Sequence, residues 1–254
     1  MDCKDRIVLI TGASSGIGRA CARAFGRKGA RLVLAARRRD RLGEIASELG
    51  AQVDVHPLVL DVRDPVAVER AIGGLPERFR AIDVLVNNAG LSRGLEPVHE
   101  GLLSDWEEMI DTNVKGLLHV SKTVLPGMLE RGRGDVINVG SIAGHESYPG
   151  GNVYCATKAA VRALTAGMRM DYAGTPIRIS TVDPGMVETE FSLVRFHGDA
   201  ERAKSVYRGM KPLSGEDVAD AILYVATRPA HVNVAEMLLL PEAQGSATIV
   251  RRET

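Results

Sequence analysis

Apolar residues are distributed along the chain in two ways. Short runs rich in β-branched residues, such as Ile7-Val-Leu-Ile10 and Asp83-Val-Leu-Val86, alternate with longer stretches where apolar positions recur every three or four residues. The first pattern suits strands buried on both faces, and the second suits amphipathic helices. Strands are predicted at Ile7–Ile10, Arg31–Ala36, Val53–Val62, Asp83–Val86, Asp135–Val139, Ile177–Val182 and Val234–Leu240. Helices are predicted over Arg19–Lys28, Asp40–Leu49, Pro65–Leu75, Ser104–Glu130, a segment opening near Tyr154 and ending near Tyr172, and a segment from Ser214 to Thr227. Phe191–Leu213 is polar and aromatic with little periodicity and reads as a mobile lid, while Ala247–Thr254 reads as a tail. Regular alternation of strand and helix predicts an α/β fold, a doubly wound parallel sheet with helices on both faces. No repeat, low-complexity stretch or linker divides the chain, so residues 1–254 read as a single domain with a lid at about 190–213.

Composition narrows the partners. The 32 basic and 32 acidic residues give zero formal net charge without long runs of either sign, which argues against nucleic acid or an anionic membrane as the main partner. Cys3, Cys21 and Cys155 lack Cys-x-x-Cys spacing and read as reduced thiols of a cytoplasmic protein. The six histidines show no ligand spacing, so no catalytic metal is expected. The N-terminal residues lack an apolar signal core, and no apolar run approaches the length of a membrane span.

Three stretches carry candidate chemistry. The first strand flows into Thr11-Gly12-Ala-Ser-Ser-Gly16-Ile-Gly18 and then a helix, an arrangement that turns backbone N–H groups and a helix N-terminus toward a phosphate. The second strand ends in Ala36, where binding of a ribose 2′-hydroxyl would call for a carboxylate, and Arg37-Arg38-Arg39 follows. A missing carboxylate and a new guanidinium suit a 2′-phosphate, with Arg37 ranked first as its ligand and Arg38 second. In Tyr154-x-x-x-Lys158, spacing of i and i+4 puts phenol and ammonium on one helical face. A neighbouring cation is expected to lower the phenol pKa and make Tyr154 an acid/base for an alcohol oxygen.

Taken together, Thr11-Gly-x-x-x-Gly-x-Gly18, Asn87-Asn-Ala-Gly90, Asn113, Ser141, Tyr154-x-x-x-Lys158 and Pro184-Gly185 resemble the short-chain dehydrogenase/reductase family in order and spacing from end to end. The resemblance implies a Rossmann-like sheet of about seven strands, a nicotinamide cofactor, hydride transfer, and a homodimer or homotetramer. It makes Tyr154 the general acid/base, Ser141 the group that fixes the substrate oxygen, Lys158 the holder of the nicotinamide ribose and Asn113 the anchor of a proton-relay water. It assigns the dinucleotide to Gly12, Ser14, Ser15, Gly16, Ile17 and Gly18, to Arg37 and Arg38, and to Asp61 and Val62 at the adenine. Asn87, Ala89 and Gly90 would border the adenosine ribose and dinucleotide; Pro184, Gly185, Val187 and Thr189 complete the set, with Thr189 on the carboxamide.

From Leu91 onward, Glu96-Pro-Val-His, Asp105-Trp-Glu-Glu-Met-Ile-Asp-Thr-Asn113, Gly150-Gly-Asn-Val-Tyr154 and Val194-Arg-Phe196 are similar to NADP-dependent 3-hydroxy acid dehydrogenases. The resemblance implies NADP(H) and a small acid substrate, with Arg93, His145, Tyr148 and Arg195 as candidate substrate contacts. His145-Glu146 and Ser92-Arg93 depart from that pattern, which expects a small residue and an aromatic at the first pair and small apolar residues at the second. Two alternatives stand beside this reading: reduction of neutral ketones or aldehydes, and a non-catalytic NADP-sensing protein. The second needs only the phosphate cradle, so the complete Ser141–Tyr154–Lys158–Asn113 set argues against it.

Overall fold

A computed structural model describes residues 3–253; Met1, Asp2 and Thr254, the last of them in the stretch read as a tail, lie outside the described residues. Seven strands form one parallel sheet in the order β3-β2-β1-β4-β5-β6-β7. They are β1 Ile7–Thr11, β2 Arg31–Ala36, β3 Val55–Val59, β4 Val84–Asn87, β5 Gly134–Val139, β6 Ile177–Pro184 and β7 Glu236–Leu239. Helices α1 Gly16–Gly26, α2 Arg39–Leu49 and α10 Gly215–Ala226 pack with Val8, Ile10, Leu32, Leu34, Val84 and Val86 on one face. The other face carries Ile7, Leu9, Val33 and Leu85 against α3 Pro65–Gly73 and α6 Leu117–Glu130. Alternate residues of each strand thus feed opposite cores, which is why the runs must be apolar throughout.

Local chemistry sets the helix ends. Asp64 Oδ1 accepts from the Val66 and Ala67 amides at 3.0 Å ahead of α3, and Pro65 needs no amide partner there. A capping box starts α10, with Ser214 Oγ accepting from Asp217 N at 3.2 Å and Asp217 Oδ2 accepting from Ser214 N at 2.8 Å.

Three expectations are corrected. The third strand stops at Val59, so Asp61 and Val62 lie in the turn at the sheet's C-terminal edge. The helix expected over Ser104–Glu130 is split into α5 Leu103–Ile110 and α6 by a wide π-helical turn at Asp111–Gly116, which contains Asn113. Such single wide turns are common at functional sites. The segment after Thr189 carries two short helices, α8 Phe191–Arg195 and α9 Ala200–Ser205. Helix α7, Asn152–Asp171, packs on β6 and α5, and α4, Glu77–Arg80, is a single turn.

The strand order reverses between β1 and β4, and in an open α/β sheet ligands bind beyond the strand ends at this switch. Among the described residues, no helix is long and apolar enough to cross a membrane.

Candidate active site

A cavity of about 330 Å³ opens at that edge, lined from Gly12 and Ser15 through Asp61 and Gly90 to Tyr154 and Thr189. Its floor depends on absent side chains. Gly12 and Gly16 have φ of +66° and +50°, left-handed values that favour glycine. A Cβ on Gly12 would lie 2.8 Å from Asn88 Nδ2 and 3.0 Å from the Ala89 Cα. Gly18 does not line the cavity; a Cβ there would collide with the Gly12 carbonyl and come within 2.6 Å of Asn88 Nδ2. Its role is to let α1 pack directly under the loop.

Asn88 locks this loop to β4. Its amide donates to Thr11 O at 2.9 Å and to Gly12 O at 3.2 Å, while Thr11 Oγ1 accepts from the Asn88 and Ala89 amides at 3.0 Å. Asn87, expected at the adenosine ribose, points instead into the sheet interior. There it donates to Ser121 Oγ and Asn138 Oδ1, each at 2.9 Å, because strand alternation sends consecutive residues to opposite faces.

The two arginines after β2 part ways. Arg38 donates to Ser14 Oγ at 3.1 Å and Ser15 Oγ at 2.7 Å, and pairs with Glu190 at 2.8 Å. Arg37 turns toward α5, 3.6 Å from Glu108. Both line the cavity, and Arg38 is the one joined to the glycine-rich loop.

At the opposite end, Ser141, Tyr154 and Lys158 converge. Ser141 follows β5 and starts a short turn, its Oγ accepting from Ala143 N at 3.1 Å and lying within hydrogen-bonding reach of the Tyr154 phenol. Tyr154 and Lys158 share the inward face of α7. Lys158 Nζ donates to Val139 O at 2.8 Å and sits 5.9 Å from the centre of the Tyr154 ring. Burial pulls the Lys158 ammonium down to about 8, against the charge of Asp183. Burial likewise pushes the Tyr154 phenol up, aided by Tyr148 and opposed by the Arg195 charge and the Ser141 hydrogen bond. The direction is opposite to the expected lowering: desolvation of the phenol outweighs the Arg195 charge.

Asn113 stands behind this group. Its Nδ2 donates to Leu91 O at 2.8 Å and Thr157 Oγ1 at 3.0 Å, while Oδ1 accepts from Leu91 N at 2.9 Å. A Cβ on Gly90 would sit 3.2 Å from Asn113 Oδ1 and 3.7 Å from Lys158 Nζ, so glycine is what lets these groups approach.

The candidate substrate contacts separate. Arg195 and Tyr148 lie behind the cavity lining, the Arg195 guanidinium 5.3 Å from the centre of the Tyr154 ring, 4.9 Å from Phe191 and 5.9 Å from Tyr148. Its Nη2 donates to the Tyr148 hydroxyl at 2.9 Å, and its Nε is buried without a partner. Arg93 is committed elsewhere, to Glu108 at 2.8 Å and Val194 O at 2.7 Å, where it ties down α8. His145 lies outside the cavity lining, bonded to the buried Asp183 at 2.9 Å and 3.4 Å from Glu236. These three offer ligand atoms within 4.8 Å of one another, a cluster that spacing along the sequence cannot reveal. They are engaged among themselves, and Glu236 is also held by Arg162 at 3.0 Å. Asn88, Asp183 and Glu190 were missed as site residues; only the turn chemistry around Asn88 offered any signal.

Residues 6–198 match the family model for short chain dehydrogenases. The chain belongs to this family. This short-chain dehydrogenase is 51% identical over 249 residues to sulfoacetaldehyde reductase 2 of Chromohalobacter salexigens, covering 97% of the chain and 99% of the relative. It is 48% identical over 242 residues to the NADP-dependent 3-hydroxy acid dehydrogenase of Salmonella typhi, covering 95% and 97%. Its fold superposes with a TM-score of 0.91 on the closed form of serine dehydrogenase complexed with NADP+, at 44% identity and coverage of 97% and 99%. The Rossmann-like architecture and the oxidoreductase class expected from the sequence are thereby established.

Proposed function

We propose that this short-chain dehydrogenase is an NADP-dependent oxidoreductase that interconverts a small anionic alcohol, of the 3-hydroxy acid type, and its carbonyl. The observation carrying the substrate class is Arg195: a guanidinium with a buried, unpartnered Nε, stacked over the ring of the candidate acid/base. An orphaned buried donor is costly, and a carboxylate or sulfonate would satisfy it with a charge-assisted bond. The acid and sulfonate relatives support the same class.

The cavity fits a dinucleotide on the evidence of its cradle, since Gly12 and Gly16 take the left-handed backbone that curls the loop around the cavity at the α1 N-terminus. Ser14, Ser15, Gly16 and Ile17 would hold the pyrophosphate, Arg38 the 2′-phosphate with Arg37 beside it, and Asp61 and Val62 the adenine. Ala89, Gly90, Pro184, Gly185, Val187 and Thr189 would line the remaining length. When bound, the nicotinamide gives or accepts the hydride. Ser141 positions the substrate oxygen, Tyr154 gives it a proton during reduction and removes one during oxidation, and Lys158 holds the ribose while stabilising the phenolate. Asn113, by shaping the wide turn beside Lys158, positions the relay.

One catalytic domain with its lid at about residues 190–213 and a cytoplasmic setting complete the reading. Self-association through α5–α7 is supported by exposed Leu103, Ile110, Leu118 and Met170. A monomeric mass by light scattering would contradict that part. Substituting Arg195→Ala tests the substrate class. KM for hydroxy acids should rise about 30-fold or more, with KM for neutral alcohols little changed. Equal losses on both would overturn the anionic assignment.

A further inference from the structure

Four of the five N–H donors of Arg38 are already engaged. Its Nε and Nη2 are directed at the Ser14 hydroxyl at 3.3 and 3.1 Å, Nη2 also reaches Ser15 at 2.7 Å, and Nη1 holds Glu190 Oε2 at 2.8 Å. The other oxygen of Glu190 faces Arg41 Nη1 at 3.3 Å. The carboxylate therefore sits between two guanidiniums at the mouth of the dinucleotide cavity, where a 2′-phosphate would also have to sit. Glu190 is a residue of the lid base. It occupies the position just before α8 without a side-chain capping bond, and the next residue, Phe191, packs its ring 5.5 Å from the Tyr154 ring and 4.9 Å from the Arg195 guanidinium.

We propose that Glu190 is the chain's own competitor for the cofactor's 2′-phosphate, and that its displacement from Arg38 couples cofactor selection to the lid over the substrate site. This inference rests on the NADP reading above and adds a residue to it. A phosphate dianion and a carboxylate cannot share Nη1 without repulsion, so arrival of one releases the other. The pair is partly exposed, 44% and 37% at the two side chains, so the latch is weak and yields to the more highly charged ligand. A cofactor without the 2′-phosphate leaves Glu190 on Arg38 and α8 anchored just before its first residue. Glu190 thereby penalises every 2′-phosphorylated ligand slightly and spends that penalty on lid release.

The test uses the full chain and two nucleotide probes, 2′,5′-ADP and 5′-ADP, with titration calorimetry on the unmodified protein and Glu190→Gln. Glutamine keeps the shape and removes the charge. Glu190→Gln should tighten 2′,5′-ADP by about two- to fivefold, the size of an exposed ion pair, and leave 5′-ADP unchanged. Weaker binding of 2′,5′-ADP would show that Glu190 orients Arg38 for the phosphate, and unchanged binding would show indifference; either overturns the proposal. Hydrogen exchange at Phe191–Arg195 provides the second readout. 2′,5′-ADP, but not 5′-ADP, should speed exchange there in the unmodified protein, and no difference between the probes would remove the coupling to the lid. If the unmodified protein binds both probes equally, it is the NADP reading itself that fails.

Discussion

Lys158→Met should make this protein more stable at neutral pH while removing most of its activity. Lys158 is only 7% exposed, and burial holds its ammonium at about 8 against an ordinary 10.5. A lysine whose folded pKa is depressed destabilises the fold: the cost is fully present below about 8 and disappears as pH rises toward 10.5. A displacement of about two and a half pH units corresponds to roughly 3 kcal/mol at pH 7, falling below about 1 kcal/mol at pH 10. Methionine has nearly the same volume and no charge, so the packing cost is small. The Val139 carbonyl, now accepting from Nζ at 2.8 Å, loses its partner at a cost of about 1 kcal/mol. The net gain of roughly 2 kcal/mol should raise Tm by about 4–8 °C at pH 7 and by little or nothing at pH 10. Thermal unfolding of both proteins at the two pH values, without added cofactor, measures it. A lower Tm for Lys158→Met at pH 7, or the same gain at both pH values, would refute the view that a buried charge is kept here for chemistry at the expense of stability.

Tyr154→Phe should reduce kcat by about 10²–10⁴-fold with cofactor affinity nearly intact; near-normal turnover would remove Tyr154 from the acid/base role. Gly18→Ala should cost about 1–3 kcal/mol and loosen dinucleotide binding, since its Cβ meets the Gly12 carbonyl and Asn88; denaturant unfolding checks the first and calorimetry the second. Arg38→Ala should weaken NADP+ binding more than Arg37→Ala, with NAD+ binding insensitive to both. The opposite order would restore Arg37 as the main phosphate ligand.

The centre of the sheet was legible because a strand buried on both faces favours a continuous apolar run, and Ile7–Ile10 and Leu32–Ala36 satisfy that requirement. Ser141, Tyr154 and Lys158 were legible by order and spacing, and they meet in the structure. Side-chain direction was not. Asn87 and Asn88 are indistinguishable as turn residues, yet one points into the sheet and the other locks the glycine-rich loop. Arg37 and Arg38 differ by one position, and only the geometry at the end of β2 decides which reaches Ser14 and Ser15. The wide turn at Asn113 hides inside an uninterrupted amphipathic pattern, because its cause is a tertiary clamp on Leu91 and Thr157. Tyr154 illustrates the same limit for electrostatics: Lys158 four residues away is visible in sequence, while the burial that raises the phenol and the Arg195 charge that opposes it are not.

The central claim is that Arg38 selects a phosphorylated cofactor while Arg195 selects an anionic substrate. Its most direct test is kcat/KM, followed by nicotinamide absorbance, for NADPH and NADH crossed with short aldehydes or ketones bearing a carboxylate, a sulfonate or no charge. The account predicts that NADPH is strongly preferred and that an anionic carbonyl outperforms its neutral counterpart of equal size. Comparable rates with NADH, or a preference for the neutral carbonyl, would contradict it.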